Sequence, residues 1–527
     1  MNDKIKRQVA EMTLEQKVGQ LFLVGFEDVD VSDEELKLFK ECHFGNYMYF
    51  ARNIDNHDQV RKLSKRLNDI SMEITGLSPF IALDQEGGMV ARIHNGCTVF
   101  PSSMAITAAG MEDKMQEYGR MAGEELHRMG INMNFAPCLD INNNPENPVI
   151  GIRSFSDKPE VVAQMGVDYG LGLQSAGVAA VGKHFPGHGD TAVDSHLGLP
   201  VINYDRERLG KVELVPFKAA IEKGLASLMS AHILFSSIDD SGLPGTLSPY
   251  IINDFLRGEL GFGGVVITDS LGMKAVEKKY GTPRSAAMAV KAGADLLCIC
   301  VGVDIMRDAY KAVLDAVASG EITKEQIDQA VGRILSCKAQ YPYEYFEDSK
   351  AVYPQNEALA DEMGQRSITL MRDAKGYMPI TGKRNLIISP APIRASLIDD
   401  DRKYSKVSFA EYAEVEMGGK GVTIDVDPDA ETINQIVAMA KDYDTVIMAS
   451  YNAKLFPKQA ELVNRLHDVA DRLVTVSLRI PYDIQAYDAV DCNIAAYEYT
   501  TRSIRNVVKV LKGDLKPVGQ LPVDMGE

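Results

Sequence analysis

The 527-residue chain has no tryptophan, and other scarcities narrow its class further. No run approaches the roughly 20 consecutive apolar residues that a bilayer-spanning helix needs. Basic residues are in deficit, 56 Lys and Arg against 74 Asp and Glu, for a formal net charge of −18. A general binder of nucleic-acid backbone needs a basic footprint, so that class is set aside. Cysteines number seven and form no Cys-x-x-Cys pair. Cys138, Cys298 and Cys300 lie inside apolar runs, where a free thiol packs as a small hydrophobe. The opening Met1-Asn2-Asp3-Lys4-Ile5-Lys6-Arg7 leads into a polar helix pattern without the apolar core of a secretory signal. Cytoplasmic residence is the resulting expectation. No Gly-x-Gly-x-x-Gly follows a strand-like run. Gly418-Gly419-Lys420-Gly421 lacks the spacing and flanking strand of a phosphate loop, and reads as a turn.

What is present is an ordinary globular balance, 45% hydrophobic and 25% charged residues, on a chain long enough for two domains. Short apolar runs recur at Leu21–Phe26, Gly45–Phe50, Phe80–Leu83, Ile131–Ala136, Ala179–Gly182, Ala226–Ala231, Gly264–Thr268 and Ala294–Cys300. Amphipathic stretches such as Met111–Met129, Glu207–Lys223 and Pro283–Lys291 separate them. Continuous apolar runs suit parallel strands buried on both faces. Eight of them predict an α/β fold that starts with a (β/α)8 TIM-like barrel over residues 1–340. The second run is the weakest, so irregularity is expected near the barrel's start. A linker is expected over 341–372. A smaller three-layer α/β sandwich is expected over 373–527, from strand-like Leu386–Ser389, Thr445–Ala449, Leu473–Ser477 and Asn493–Ala496. Titratable residues stand just past the barrel runs: Asp84, Asp140, Lys183 with His184, His232 and Asp269. The carboxyl ends of barrel strands are where active sites are built. The second unit's strand ends show no comparable cluster.

The densest chemistry is Lys183-His184-Phe185-Pro186-Gly187-His188-Gly189-Asp190-Thr191-Ala192-Val193-Asp194-Ser195-His196, which holds three of the chain's nine histidines. The preceding Ala179–Gly182 suits a strand ending at Lys183, and Pro186, Gly187 and Gly189 then force a loop. Three readings compete. Histidine and aspartate can serve only turn backbone. A metal could take His184, His188 and His196, although Pro-Gly forbids the helix on which His-x-x-x-His pairs bind metal. The favoured reading is proton transfer: in extended chain, residues two apart share a side, so Asp194 can orient His196 and raise its basicity. Asp269, in Thr268-Asp269-Ser270-Leu271, is by itself an ordinary helix cap. Beside the His196 loop it supplies what an acid/base pair lacks, a carboxylate nucleophile or charge stabiliser, the second function that retaining acetal hydrolysis requires.

The Lys183–His196 stretch closely resembles the Lys-His-Phe-Pro-Gly-His-Gly…Asp-Ser-His loop of glycoside hydrolase family 3, in its bacterial β-N-acetylglucosaminidase subgroup. The resemblance covers the whole chain, down to a closing Pro517-Val518-Gly519-Gln520-Leu521-Pro522-Val523. It implies His196 as general acid/base partnered by Asp194, and Asp269 as nucleophile, here flanked by Thr268 and Ser270. It further implies sugar binding by Asp84 and Arg92 of Leu83-Asp84-Gln85-Glu86-Gly87-Gly88…Arg92, by Arg153 of Gly151-Ile152-Arg153-Ser154-Phe155, and by Lys183 and His184. The implied activity is that of a retaining exo-β-N-acetylglucosaminidase, removing terminal GlcNAc from saccharides or muropeptides. No metal or organic cofactor, nucleic acid or membrane partner is implied. Two rivals stay open at this point: a phosphorylase using the same site, and a non-catalytic sugar-binding or sensor protein on the same fold.

Overall fold

The computed structural model describes residues 2–191, 198–347, 353–392 and 407–526. Its first unit is a barrel of eight parallel strands: β1 (Phe22–Val24), β2 (Tyr47–Met48), β3 (Ile81–Leu83), β4 (Met133–Asn134), β5 (Ala179–Phe185), β6 (Ser227–Ser230), β7 (Val265–Thr268) and β8 (Leu297–Ile299). Their order is β8-β1-β2-β3-β4-β5-β6-β7, and a bridge between Ile267 and Leu296 joins the two end strands. All eight lie within the expected runs, apart from the extension of β5 past Gly182. As anticipated, β2 is short, at two residues.

Alternation along the strands sorts side chains into two cores. Leu23, Met48, Ala82, Met133, Val181, Met229, Ile267 and Cys298 fill the lumen. Val24, Ile81, Leu83, Ala180, Leu228, Val266 and Leu297 face outward, against the helices. Those helices begin where local chemistry allows. Thr13 and Gln16 form a capping box for Leu14–Gln20, and Thr323 and Gln326 form one for Lys324–Gln340, each satisfying otherwise orphaned N–H groups. The stretch Glu207–Lys223 is not one helix but two, Arg206–Lys211 and Val215–Glu222, the second with Pro216 in its first turn.

The expected linker 341–372 holds a helix, Pro354–Ser367, whose Ala360 and Met363 join the barrel's outer core. It leads into a six-stranded sheet: β9 (Thr369–Asp373), β10 (Asn385–Pro390), β11 (Lys420–Ile424), β12 (Thr445–Ser450), β13 (Leu473–Ser477) and β14 (Cys492–Ala495), ordered β9-β14-β13-β12-β10-β11. Only β9 runs antiparallel. One face packs Ile387, Ile447 and Val476 on Phe409 and Val507. The other packs Leu386, Val446 and Met448 on Ile433 and Leu462. The result is the anticipated three-layer sandwich. Gly418 and Gly419 do turn the chain, with φ of 74° and 101°, but strand β11 starts at once after them. Its exposed Lys420 and half-buried Val422 explain why no apolar run announces it. The sandwich shares a core with the barrel, where Met89, Met104 and Ile152 pack with Ile480, Tyr482 and Tyr497. Nor are its strand ends bare: Arg479, Asp483 and Glu498 are buried there. Asp483 lies near Arg479, whereas Glu498 accepts from the backbone N–H of Ser102 in the barrel unit.

Candidate active site

Three of the expected residues share one geometric origin. Ala82, Val181 and Ile267 point into the lumen, and side chains two positions on lie on the same face. Those positions are Asp84, Lys183 and Asp269. The lumen-facing rows of β3, β5 and β7 therefore each end in a charged group at the carboxyl mouth, alternate strands feeding one layer.

Asp84 and Lys183 belong to a buried charge network. Lys183 Nζ lies 2.8 Å from Asp84 Oδ1 and 2.6 Å from Glu86 Oε1. Arg153 grips Glu86 with two nitrogens, Nε to Oε2 at 2.9 Å and Nη2 to Oε1 at 2.8 Å. Arg92 Nη2 donates to Asp84 Oδ2 at 3.4 Å. Burial would raise both carboxyls, but Lys183 and then Arg92 outweigh it at Asp84, and Arg153 and then Lys183 at Glu86, so both are held below their usual range. The same pairing overcomes burial to raise Lys183. Two anions and three cations stay ionised together, able to hold sugar hydroxyls by charge-assisted bonds. Glu86 had drawn no role from sequence; its partner Arg153 lies 67 residues away. Arg153 is itself buried in this pairing.

Local backbone delivers these groups. Gln85 accepts from the backbone N–H of Arg92 at 2.7 Å and of Ile93 at 3.1 Å, folding the chain back on itself through Gly87 and Gly88. Gly88 has φ of 54°, and a Cβ there would sit 2.6 Å from Ser102 Cβ, so only glycine fits. On β5 the ladder shifts: Lys183 pairs with Met229, but Phe185 pairs with Ser230. That bulge carries the strand to Phe185, beyond the expected end at Lys183, and re-aims His184.

His184 Nδ1 meets Asp140 Oδ2 at 2.6 Å, and Asp140 Oδ1 accepts from the backbone N–H of His188 at 2.7 Å. An Asp–His pair is thus present at the strand ends, with a partner for His184 that sequence had noted only as a strand-end acid. The donor atoms of Cys138, Asp140 and His184 lie within 4.8 Å of one another. Burial, then Asp140, pushes the Cys138 thiol well up; it stays protonated and donates to Asp140 at 3.4 Å. Hydrogen bonds join these three groups; the set differs from the His184, His188 and His196 of the metal reading, of which His196 lies outside the described residues. Asp269 is half-buried, and its Oδ1 accepts from the N–H of Ser270 at 2.7 Å. Buried His232 stands beside it, with Nε2 3.0 Å from the carbonyl of Ser270 and Nδ1 2.9 Å from Thr246 Oγ1. Asp194 and His196 lie outside the described residues.

His188 adds a pH dependence. Burial, then neighbouring His184, lowers it from the usual 6.5 to about 4. The unfolded chain therefore takes up this proton first as pH falls. The contribution of His188 is intact above about 6.5 and is lost progressively toward about 4, by up to about 3 kcal/mol for a shift of that size. A profile of Tm against pH should show this acid-side decline, and His188→Gln should flatten it. An unchanged slope in that variant would remove His188 from the account.

With this geometry in place, comparison with known proteins decides the lineage. The family description "Glycosyl hydrolase family 3 N terminal domain" matches residues 13–337. The chain belongs to glycoside hydrolase family 3. Within the family, a beta-N-acetylglucosaminidase structure from Paenibacillus sp. str. FPU-7 superposes with a TM-score of 0.91 at 40% identity, covering 98% of this chain and 99% of that one. Beta-hexosaminidase A of Pseudoalteromonas piscicida is 33% identical over 377 residues, 67% of this chain and 63% of that protein. The chain therefore spans under two thirds of that relative's length. The beta-hexosaminidase of Alkalilimnicola ehrlichii is 37% identical over 284 residues, 53% of this chain and 80% of its own. The family likeness read from the Lys183–His196 loop is confirmed.

Proposed function

We propose that the protein is a retaining exo-β-N-acetylglucosaminidase that releases terminal β-linked GlcNAc, with peptidoglycan-derived muropeptides as the natural substrate class. The observation that carries this reading is the shared mouth-facing layer of Asp84, Lys183 and Asp269, which sets a hydroxyl clamp and a carboxylate around one opening. The named activity of the Paenibacillus structure supports it over nearly the full chain. In this mechanism Asp269 attacks the anomeric carbon and forms a glycosyl ester. His196, oriented by Asp194, protonates the departing oxygen and then takes a proton from the attacking water; two inversions give net retention. Asp84, Arg92, Lys183 and His184 hold the sugar's hydroxyls, and Arg153 acts mainly by fixing Glu86. A reducing, cytoplasmic setting is proposed with it, in keeping with seven buried free thiols.

A second reading has its own observation. Asp140 and His184 form an Asp–His pair of 2.6 Å, which makes His184 an alternative acid/base. Turnover of aryl β-GlcNAc and aryl β-glucoside, each with and without phosphate, tests the activity. The expected result is preference for the GlcNAc substrate, with free GlcNAc as product in both buffers. GlcNAc-1-phosphate as main product would make the protein a phosphorylase, and absence of turnover would favour a sugar-binding role.

A further inference from the structure

Sulfur fills part of the barrel lumen below the charged mouth. The lumen-facing residues of the four even-numbered strands, β2, β4, β6 and β8, are Met48, Met133, Met229 and Cys298. Two positions on from Cys298, and so on the same face, Cys300 stands at the carboxyl end of β8. Three of these sulfurs meet. Cys298 Sγ lies 3.6 Å from Met48 Sδ and 3.9 Å from Cys300 Sγ, and Cys300 Sγ lies 3.9 Å from Met48 Sδ. The triangle joins β8 to β2 across the intervening β1.

Neighbouring residues fix its corners. The backbone N–H of Cys298 donates to Thr268 Oγ1 at 3.0 Å. A Cβ on Gly25, just past β1, would lie 2.8 Å from Cys300 Cβ, so glycine leaves the room that Cys300 occupies. All three residues are buried, Cys300 least so at 8% exposed. Cys298 is close enough to Asp269 and Asp84 to sense both charges, which sets the triangle at the floor of their opening.

Sulfurs in contact pack well as plain hydrophobes, yet this triangle also has the dimensions of a metal site. Three sulfurs, each about 2.3 Å from one ion in their plane, stand about 4.0 Å apart. Two thiols and a thioether form a wholly soft donor set, which suits Cu(I). Among the described residues no third His, Cys, Asp or Glu joins the two thiols, so a zinc ion would lack its usual four ligands. The geometry points to Cys298, Cys300 and Met48 as a three-coordinate site for one soft monovalent cation, Cu(I), on the floor of the barrel mouth. Cu(I) accepts a lone pair from each sulfur, and the two thiols release their protons to solvent. The product is a singly negative bis-thiolate thioether complex plus two protons; no electron is transferred. The site stands whether or not Asp269 is the nucleophile.

The test titrates the reduced full-length protein, without oxygen, into Cu(I) held by bathocuproine disulfonate. It reads copper transferred, protons released and the copper K-edge absorption spectrum. The expected result is one copper per chain, two protons released with it, and three sulfur neighbours at about 2.3 Å. Cys298→Ser and Cys300→Ser should each lower affinity by more than the about 10²-fold that loss of a supporting residue costs a metal site. Met48→Leu, close in volume, should leave only two sulfur neighbours. Cys138→Ser probes the group of Cys138, Asp140 and His184, and should keep the copper. No transfer to the wild type would show packing only and overturn the proposal. So would nitrogen or oxygen neighbours, copper lost in Cys138→Ser, or three sulfurs retained in Met48→Leu. If a serine variant fails to fold, the sulfur count in Met48→Leu decides.

Discussion

Asp269→Asn is expected to lose about 10⁴-fold or more in kcat, the scale on which removal of a single reacting residue leaves only binding and positioning. The amide is nearly isosteric, and the N–H of Ser270 that now donates to Oδ1 can donate equally to an amide oxygen. Folding and GlcNAc binding should therefore survive. Calorimetric binding of GlcNAc alongside kcat separates the two properties. A variant that keeps a tenth of wild-type turnover would mean that Asp269 is only a helix cap, the other role such a residue can fill at this position.

His196→Ala carries the second large effect, about 10²- to 10⁴-fold on a natural disaccharide, the usual worth of general acid–base catalysis. An aryl group of low pKa needs little protonation to depart, so the loss should shrink on such substrates. The step that then limits is attack by water, which needs a proton removed. Azide needs none, so it should restore turnover and yield the β-azide. The same experiment on His184→Ala separates the two Asp–His pairs. If His184 only holds a hydroxyl, its removal should cost rate on every substrate with no rescue. Azide rescue in His184→Ala and not in His196→Ala would move the acid/base to the Asp140-linked histidine.

The barrel was legible because buried parallel strands are written as continuous apolar runs, and because alternation is strictly local. From Ala82, Val181 and Ile267 alone, Asp84, Lys183 and Asp269 fall on one face. What sequence did not show depends on contacts between distant segments. Glu86 reads as one polar residue in a glycine-rich turn until Arg153 closes on it from 67 positions away. Asp140 gains a role only through the bulge that swings His184 toward it, and a bulge leaves no pattern in apolar residues. At the sandwich edges, β9 and β11 each have one strand neighbour and carry exposed Arg372 and Lys420. Edge strands are commonly marked by such charges, which erases the apolar signal used to find the others. The linker expectation failed to anticipate the helix Pro354–Ser367 for a related reason. Its buried face is a single stripe, Asn356, Ala360, Met363, Gly364 and Ser367, but only Ala360 and Met363 on it are apolar side chains, so no amphipathic pattern announces the helix.

The central claim is a covalent sugar ester on Asp269. It is tested most directly by incubating the protein with a 5-fluoro-GlcNAc fluoride, which slows both steps but retains a good leaving group, and mapping the adduct by peptide mass spectrometry. The account predicts one fluorosugar per chain, on the peptide containing Asp269, and none on Asp269→Asn. An adduct on Asp84, Asp140 or Asp194, or substrate turnover with inversion at the anomeric centre, would contradict it.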